Sequence, residues 1–279
     1  MANQACDTVV DYLSAQLDQV FAGLVGLREG DDPIHDTRVA IRRLRSTLRV
    51  FGKVMDAAAV GDLDEELKWF AGLLGEVRDC QVQLRRFTAA LDELPDELVL
   101  GPVKSRIRND LRAVELPARN RVGAEMESTR YQALLAVLRD WRVRPPVAAG
   151  VSRKDLRKRA SRAAHKADRR LAAALEDGSG DMLHRARKSA KRARYAAELR
   201  KPVDRRARRV VRHYKQIQTV LGDHQDAVVA TEVLRRMAAV AGTTPGENGF
   251  TFGLLYAREE RIASESRSHL SLLHLHSGA

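Results

Sequence analysis

The sequence contains few of the residues that would stabilise a small secreted fold or anchor a protein in a membrane. Of its 279 residues only two are cysteines, Cys6 and Cys80, and they form no CxxC pair. This usage excludes a disulfide framework and is typical of a reducing compartment. No apolar run approaches the roughly 18 residues that a membrane-spanning helix requires, and the first ten residues lack the pattern of a signal peptide. We therefore predict a cytoplasmic protein with no membrane partner.

Aromatic residues and catalytic motifs are also scarce. Aromatic side chains make up 5% of the chain. Proteins that bind single-stranded nucleic acid stack aromatic rings against the bases, so the composition disfavours that class. The sequence contains no nucleotide-binding loop, metalloprotease motif or nucleophile elbow. We therefore predict that the protein is not an enzyme and that it needs no cofactor.

Positive charge, by contrast, is abundant and unevenly distributed. The chain has 49 Lys and Arg against 37 Asp and Glu, which gives a net charge of +12. Residues 151–215 alone contain 23 basic and 7 acidic residues, a local net charge of +16, so the rest of the chain is slightly acidic. Such an excess predicts an acidic partner: nucleic acid or another polyanion.

Helical periodicity recurs along the whole chain and predicts an all-α fold. Apolar residues step by three or four from Val9 to Leu27. Asp32 is the predicted N-cap of the next helix, with Pro33 at its first position. The predicted helices after the first cover residues 33–55, 63–91, 96–116, 129–141, 152–175, 182–199, 203–240 and 250–273. No strand alternation is found.

A linker at residues 145–150 divides the chain almost at its midpoint. It contains Pro145, Pro146 and Gly150, which cannot continue a helix. We predict two helical repeats, residues 1–144 and 151–279, within one domain of 279 residues.

The two halves repeat each other. The segment that begins His-Asp-Thr-Arg at His35 aligns with the segment that begins His-Arg-Ala-Arg at His184, and their basic positions coincide. A second block, Leu-Gly-x-x-x-Asp, starts at Leu74 and again at Leu221, with Lys68 and Lys215 in register upstream. The offsets are 149 and 147 residues. Two blocks at nearly one offset indicate an internal duplication.

Each copy of the first block predicts a helix with one cationic ridge and one apolar face. Residues 35, 38, 42, 45 and 49 fall on one side at about 100° per residue, and Ile41, Leu44, Leu48 and Phe51 fall on the other. In the second copy the opposite face consists of alanines. Like charges at this spacing destabilise an isolated helix, so we interpret the ridges as anion-binding surfaces rather than solvated faces. Arginine matches phosphate oxygens bidentately, which favours a string of phosphates.

The paired His-x-x-Arg-x-x-x-Arg/Lys blocks and the Leu-Gly-x-x-x-Asp blocks resemble the CHAD family, the conserved histidine α-helical domain, over both halves of the chain. The resemblance implies two four-helix bundles related by pseudo-two-fold symmetry, with a basic cavity between them. It also implies binding of inorganic polyphosphate and association with polyphosphate granules. Many such domains accompany a CYTH-type triphosphatase domain, for which these 279 residues leave no room beside the two repeats. We therefore expect a stand-alone module or one excised from a larger protein.

The basic positions of the repeated blocks are the predicted polyphosphate-binding residues, and phosphate or sulfate ions could occupy the same positions. They are His35, Arg38, Arg42, Arg43, Arg45, Arg49, Lys68, His184, Arg187, Lys188, Lys191, Arg192, Arg194 and Lys215. Weaker candidates on the preceding basic helix are Arg157, Arg162 and Arg169.

Several alternatives compete with this interpretation, among them a scaffold or granule-coat protein that uses its ridges to recruit another partner. The two motif histidines have cations at ligand spacing, which repel a metal, so we predict no metal site. Asp79 and Asp226 could be catalytic acids, but each lacks a repeated partner acid, and we predict that they orient an arginine of the ridge. The runner-up function is binding of the phosphate backbone of nucleic acid, which is less favoured because the ridges contain almost no aromatic residues.

Overall fold

A computed structural model of the protein describes residues 2–275. Over these residues the chain forms helices joined by short loops, without a strand, which confirms the all-α prediction. The helices are α1 (Ala2–Glu29), α2 (Ile34–Phe51), α3 (Ala57–Val60), α4 (Leu63–Asp92), α5 (Val103–Met126), α6 (Thr129–Val143), α7 (Arg153–Asp177), α8 (Gly180–Arg200), α9 (Ala207–Ala241) and α10 (Phe250–Leu275). None of the helices in this range combines the length and apolarity needed to cross a membrane.

Helix α5 departs most from its predicted range of 96–116. It begins at Val103, after a short 3₁₀ turn at residues 96–98, and it continues through Pro117 to Met126. A proline inside a helix removes a backbone hydrogen bond and usually ends the helix. Here apolar residues on both sides of Pro117 are buried, Ile107 in one core and Val122 in another, so tertiary packing holds the helix together across the proline.

The predicted cap of α2 is also different in the structure. Pro33 rather than Asp32 occupies the N-cap position, and no side chain caps the helix. The Asp32 carboxylate instead accepts hydrogen bonds from the side chains of Gln81 on α4 and Arg119 on α5. These tertiary partners outcompete the local backbone N–H groups of α2 for the carboxylate.

Three hydrophobic cores hold the helices together. The first contains most of the buried residues of α1, α2 and α6, and it also takes Leu156 from α7 and Leu199 from α8. The second joins the C-terminal part of α4 and the N-terminal part of α5 to α9 and α10, with Phe87 and Leu234 fully buried. The third lies among α7, α8, α9 and α10. The second core therefore contains residues from both predicted repeats.

Helices α2 and α8 pack against each other at the centre of the molecule. The predicted apolar face of α2 is confirmed, because Ile41, Leu44, Leu48 and Phe51 are all buried. The predicted alanine face of α8 is buried as well, at residues 186, 190, 193 and 197. Small side chains let neighbouring helices approach closely, which leaves the long cations of both helices on a shared side.

Candidate anion-binding site

A basic cavity of about 370 Å³ opens between α2, α4 and α8. We call it the central cavity. Its basic lining residues are Arg42, Arg45, Arg49, Lys68, His184, Arg187, Lys188, Lys191 and Arg192. The other two lining residues are Ser46 and Tyr195, so no carboxylate of the described residues lines the cavity. All nine basic residues are among those predicted from the repeated blocks.

One arginine from each repeat packs against a glycine of the neighbouring helix. The guanidinium of Arg38 on α2 lies over Gly75 of α4 and donates a hydrogen bond to the carbonyl of Ala71. The guanidinium of Arg187 on α8 lies in the same way over Gly222 of α9. A Cβ added at residue 75 would lie 2.5 Å from Arg38 Nη1, and one at residue 222 would lie 3.3 Å from Arg187 Nη2. The glycine of the Leu-Gly-x-x-x-Asp block thus makes room for an arginine.

The aspartates of the same blocks lie near these two arginines. Asp226 Oδ1 is 3.6 Å from Arg187 Nη2, and Asp79 is the carboxylate that acts most strongly on the charge of Arg38. Burial is the main cause that raises the pKa of Asp79, while Arg38 opposes the rise. The ion pair of Asp226 with Arg187 agrees with the predicted role of that aspartate in orienting an arginine, whereas Asp79 and Arg38 interact through their charges alone.

The cations of the central cavity differ in whether a carboxylate neutralises them. Asp64 forms ion pairs with Arg45 at 3.0 Å and with Arg49 at 2.6 Å, and Glu65 pairs with Lys68 at 2.7 Å. Within the described residues, four cavity cations have no carboxylate within ion-pair distance: Arg42, Lys188, Lys191 and Arg192. Arg42 Nε is moreover buried without a hydrogen-bond partner.

The crowding of these cations is visible in their pKa values. Burial is the main cause that lowers the pKa of Lys191 to about 7, and the neighbouring Arg187 and Arg42 lower it further. Burial followed by the charge of Arg49 lowers the pKa of Arg192. The pKa of His184 is also lowered, by burial and then by Lys188. Each shift is the response expected when like charges share a partly dry site, and a bound anion would relieve it.

Several predicted site residues do not line the central cavity. Arg43 and Arg194 both form ion pairs with Glu198, at 3.2 and 2.9 Å, and both guanidinium groups lie near the ring of Tyr195. The pair of Arg43 with Glu198 joins α2 to α8, whereas Arg194 pairs with Glu198 within α8, and neither arginine lines the central cavity. His35 is exposed, and it lines none of the cavities described here, although its repeat partner lines the central one.

Lys215 is placed away from the cavity that its repeat partner Lys68 lines. It lies in a separate groove between α9 and α10, together with Arg212 and Thr219. Sequence register predicted one cavity for both lysines, but in the structure Lys215 lines the groove formed by α9 and α10 instead. Of the weaker candidates, Arg157 and Arg169 are exposed and line none of the cavities described here, whereas Arg162 lines a second basic cavity beside the first.

Three cations that sequence reasoning missed also line the second cavity: Lys53, Arg159 and Lys166. Arg159, Arg162 and Lys166 are spaced i, i+3 and i+7 on α7, the same spacing as residues 35, 38 and 42 on α2. That spacing places side chains on one helix face, whereas Arg157 and Arg162 are about 140° apart. The helical spacing of Arg159, Arg162 and Lys166 could therefore have predicted from the sequence that they share one face.

Comparison with known proteins identifies the family. The profile of the CHAD domain matches residues 11–235, which is most of the chain and includes both repeated blocks. The chain belongs to the CHAD family. The resemblance predicted from the motifs is thereby confirmed.

Two curated relatives align with this CHAD domain over nearly its full length. Both are uncharacterised proteins of Mycobacterium tuberculosis, one from strain CDC 1551 and one from strain H37Rv, and each is 32% identical over 275 residues. The alignment covers 95% of this chain but 52% of each relative. The chain thus spans about half the length of the curated relatives that it matches.

Two solved structures share the fold of this CHAD domain. PptA from Streptomyces chartreusis superposes with a TM-score of 0.79 and 23% identity, covering 96% of this chain and 98% of that one. The crystal structure of the CHAD domain from the plant Ricinus communis superposes with a TM-score of 0.72 and 25% identity, covering 96% and 91%. Near-complete coverage on both sides shows that the helices form one shared architecture.

Proposed function

We propose that this CHAD domain binds inorganic polyphosphate in the central cavity. The observation that carries the proposal is the set of four cavity cations without a carboxylate partner, Arg42, Lys188, Lys191 and Arg192. Arg42, Lys191 and Arg192 are half-buried and Lys188 is exposed. Unpaired charges in a partly buried site are costly, and a ligand of opposite sign would stabilise them. Arginine and lysine together suit phosphoryl oxygens. The association of the CHAD family with polyphosphate narrows the polyanion to this polymer.

The proposed role is non-catalytic. Asp79 and Asp226, the carboxylates of the repeated blocks, lie near arginines instead of standing as a free acid and base at the cavity. Among the described residues no group of His, Cys, Asp and Glu could hold a metal ion. In this proposal the domain retains the chain and presents it, for example at a polyphosphate granule in the cytoplasm. A phosphate-release assay with long-chain polyphosphate should give no turnover above the buffer background.

The runner-up, binding of a nucleic-acid backbone, is less well supported by the cavity lining. Tyr195 is the aromatic residue of the central cavity, and it is 3% exposed with Arg43 and Arg194 on its ring. It is therefore not available to stack on a base. A polymer that consists of phosphates alone needs only the cations.

We also propose that the two repeats are related by a pseudo-two-fold axis between α2 and α8. The pairing of Arg38 with Gly75 in one repeat and of Arg187 with Gly222 in the other supports this relation. Under it, residues 1–144 and 151–279 would present equivalent cations to one ligand. A linear polymer of identical units suits such a site, because it offers the same groups in both directions.

The decisive experiment is a competition titration. Labelled long-chain polyphosphate is bound to the protein and challenged with duplex DNA, ATP or unlabelled polyphosphate. We expect displacement by unlabelled polyphosphate and retention in excess DNA. Displacement by DNA at equal phosphate concentration would refute the preference for polyphosphate.

A double variant links the binding to the cavity. Arg42→Gln with Lys191→Gln removes two unpaired cations, and we expect at least a tenfold weaker affinity with unchanged helicity by circular dichroism. The matched control is Arg235→Gln with Arg236→Gln, which removes the same charge from exposed positions on α9. An equal loss in both variants would show that net charge rather than the cavity governs binding.

A further inference from the structure

A second basic cavity opens beside the central one, between the C-terminal part of α2 and the α7–α8 pair. We call it the outer cavity, and its volume is about 450 Å³. Its charged lining residues are Arg49, Lys53, Arg159, Arg162, Lys166 and Arg192. No acidic residue lines it, and the remaining surface consists of small or aliphatic residues such as Leu48 and Ala163.

The two cavities are adjacent and share two arginines. Arg49 and Arg192 line both of them, one from α2 and one from α8. A ligand that contacts these side chains in the central cavity is therefore next to the outer one. The cations of α7 extend the path beyond the two repeated ridges.

The outer cavity is as poorly neutralised as the central one. Within the described part of the chain, Arg49 pairs with Asp64, but none of its other five cations has a carboxylate at ion-pair distance. Arg159 Nε is buried and has no hydrogen-bond partner. The charges of Arg170 and Arg192, together with partial burial, lower the pKa of Lys166. Like the central cavity, the outer cavity has positive charges without a carboxylate partner, which a bound anion would balance.

Building on the proposed function, we propose that the outer cavity is a second phosphate subsite, which receives the continuation of a linear condensed-phosphate chain past Arg49 and Arg192. Arg159, Arg162 and Lys166 would bind its phosphoryl oxygens from α7, with Lys53 opposite them. The absence of an aromatic side chain in the lining excludes base stacking and fits an unsubstituted inorganic chain.

Chain length should then govern affinity. Tripolyphosphate can occupy the central cavity but is too short to engage both cavities fully, whereas a long chain bound at one is held at high effective concentration near the other. Long chains should also release more counterions on binding, which makes their affinity more dependent on salt.

The test is a variant that removes the outer cavity alone. It combines Lys53→Gln, Arg162→Gln and Lys166→Gln. All three positions are exposed, so the variant should keep its cores intact. Thermal unfolding checks this. The matched control is Arg108→Gln, Arg112→Gln and Arg139→Gln, which removes the same charge from exposed positions on α5 and α6. Calorimetric titration with tripolyphosphate and with chains of about one hundred phosphates is carried out at two salt concentrations.

We expect the outer-cavity variant to bind tripolyphosphate within twofold of the parent protein but to bind the long chain at least tenfold more weakly, with a shallower salt dependence. The control should lose less than threefold for both ligands. An unchanged affinity for the long chain, an equal loss for both ligands, or an equal loss in the control would overturn the outer subsite while leaving the central one standing. If the parent protein binds neither ligand, the proposed function fails and the subsite fails with it.

Discussion

Gly75 and Gly222 show how a residue without a side chain can serve a cation. Each lets a guanidinium group lie against the backbone of a neighbouring helix, where a methyl group would collide with it. Beside Gly75, the guanidinium group of Arg38 also donates a hydrogen bond to the carbonyl of Ala71 on α4. Glycine in a helix interior costs about 1 kcal/mol relative to alanine. That cost is offset here by the contact with a fixed arginine.

Substitution of Gly75 by alanine should measure the contact with Arg38 against the gain in helix propensity. The matched control is Gly72→Ala, because Gly72 lies on the same helix with nothing within 4 Å of an added Cβ. We expect the control to gain up to about 1 kcal/mol of unfolding free energy through helix propensity. Gly75→Ala should be at least about 1 kcal/mol less stable than the control, because Arg38 loses its hydrogen bond. Urea denaturation measures both, and equal stabilities would contradict the role of Gly75.

Lys191 is the cavity cation whose charge changes nearest to neutral pH. Its pKa is lowered to about 7, first by burial and then by Arg187 and Arg42, while Asp226 acts in the opposite direction. In the free protein the amine is therefore charged below this pH and loses its charge above it. A bound anion favours the charged form, so binding above about pH 7 must take up a proton.

We therefore expect polyphosphate affinity to fall about fivefold between about pH 7 and about pH 8. An arginine at this position keeps its charge over this pH range, so Lys191→Arg should abolish the part of the pH dependence that comes from Lys191. Any titration of the ligand itself affects the variant and the parent protein equally. Calorimetry in two buffers of different ionisation enthalpy counts the protons taken up. Proton uptake that is the same in the parent and the variant would show that Lys191 is not the group that titrates.

At the scale of the helix, the faces of α2 and α8 could be predicted because a period of 3.6 residues is set by local geometry. It assigned Ile41 and Leu44 to the core and Arg42 to the cavity without further information. What could not be predicted depends on neighbouring helices. Lys215 faces a groove formed with α10, and Pro117 remains helical because two cores hold α5 on either side of it.

The carboxylate of Glu198 divides the basic residues of α2 and α8 into two groups. It is 10% exposed and accepts from both Arg43 and Arg194, which removes these arginines from the ligand site. The ridge pattern alone could not distinguish them from Arg42 or Lys191, because all lie in the same repeated block. The packing of α2 against α8 brings Glu198 to Arg43, whereas its pair with Arg194 is an i, i+4 contact within α8.

Glu198→Ala should leave two partly buried arginines uncompensated. We expect a loss of about 2–3 kcal/mol in unfolding free energy, since removal of one partner of a buried ion pair is strongly destabilising. Glu232→Ala breaks an exposed pair with Arg235 and should cost less than about 1 kcal/mol. Chemical denaturation measures the unfolding free energy of both variants. Similar losses would argue against a stabilising role of Glu198 between α2 and α8.

At the scale of the whole molecule, the first and second cores both contain residues from the two repeats, so we expect the repeats to unfold as one cooperative unit. Phe87 of α4 and Leu234 of α9 are fully buried within the second core. On the same side, Arg86 of α4 forms an ion pair with the buried Glu259 of α10. A linker at residues 145–150 could be predicted from its prolines, but sequence does not reveal a core that is assembled from both sides of it.

The two tryptophans allow this cooperativity to be measured, because Trp69 and Trp141 both lie in the first repeat. Leu234→Ala creates a cavity in the second core and should cost about 2–5 kcal/mol. We expect tryptophan fluorescence and circular dichroism to shift together to lower denaturant. Val229→Ala, at an exposed position of the same helix, is the control. A fluorescence midpoint that stays in place while circular dichroism becomes biphasic would show that the repeats unfold separately.

The unpaired cations of the central cavity also mean that the stability of this domain depends on the solution around it. Any small anion that enters the cavity binds the folded chain and not the unfolded one, so it raises the melting temperature by mass action. Protein prepared in phosphate buffer and protein prepared in a buffer without multivalent anions are in this sense two different samples. The difference between their melting temperatures reports how tightly the folded domain binds the anion at the concentration used.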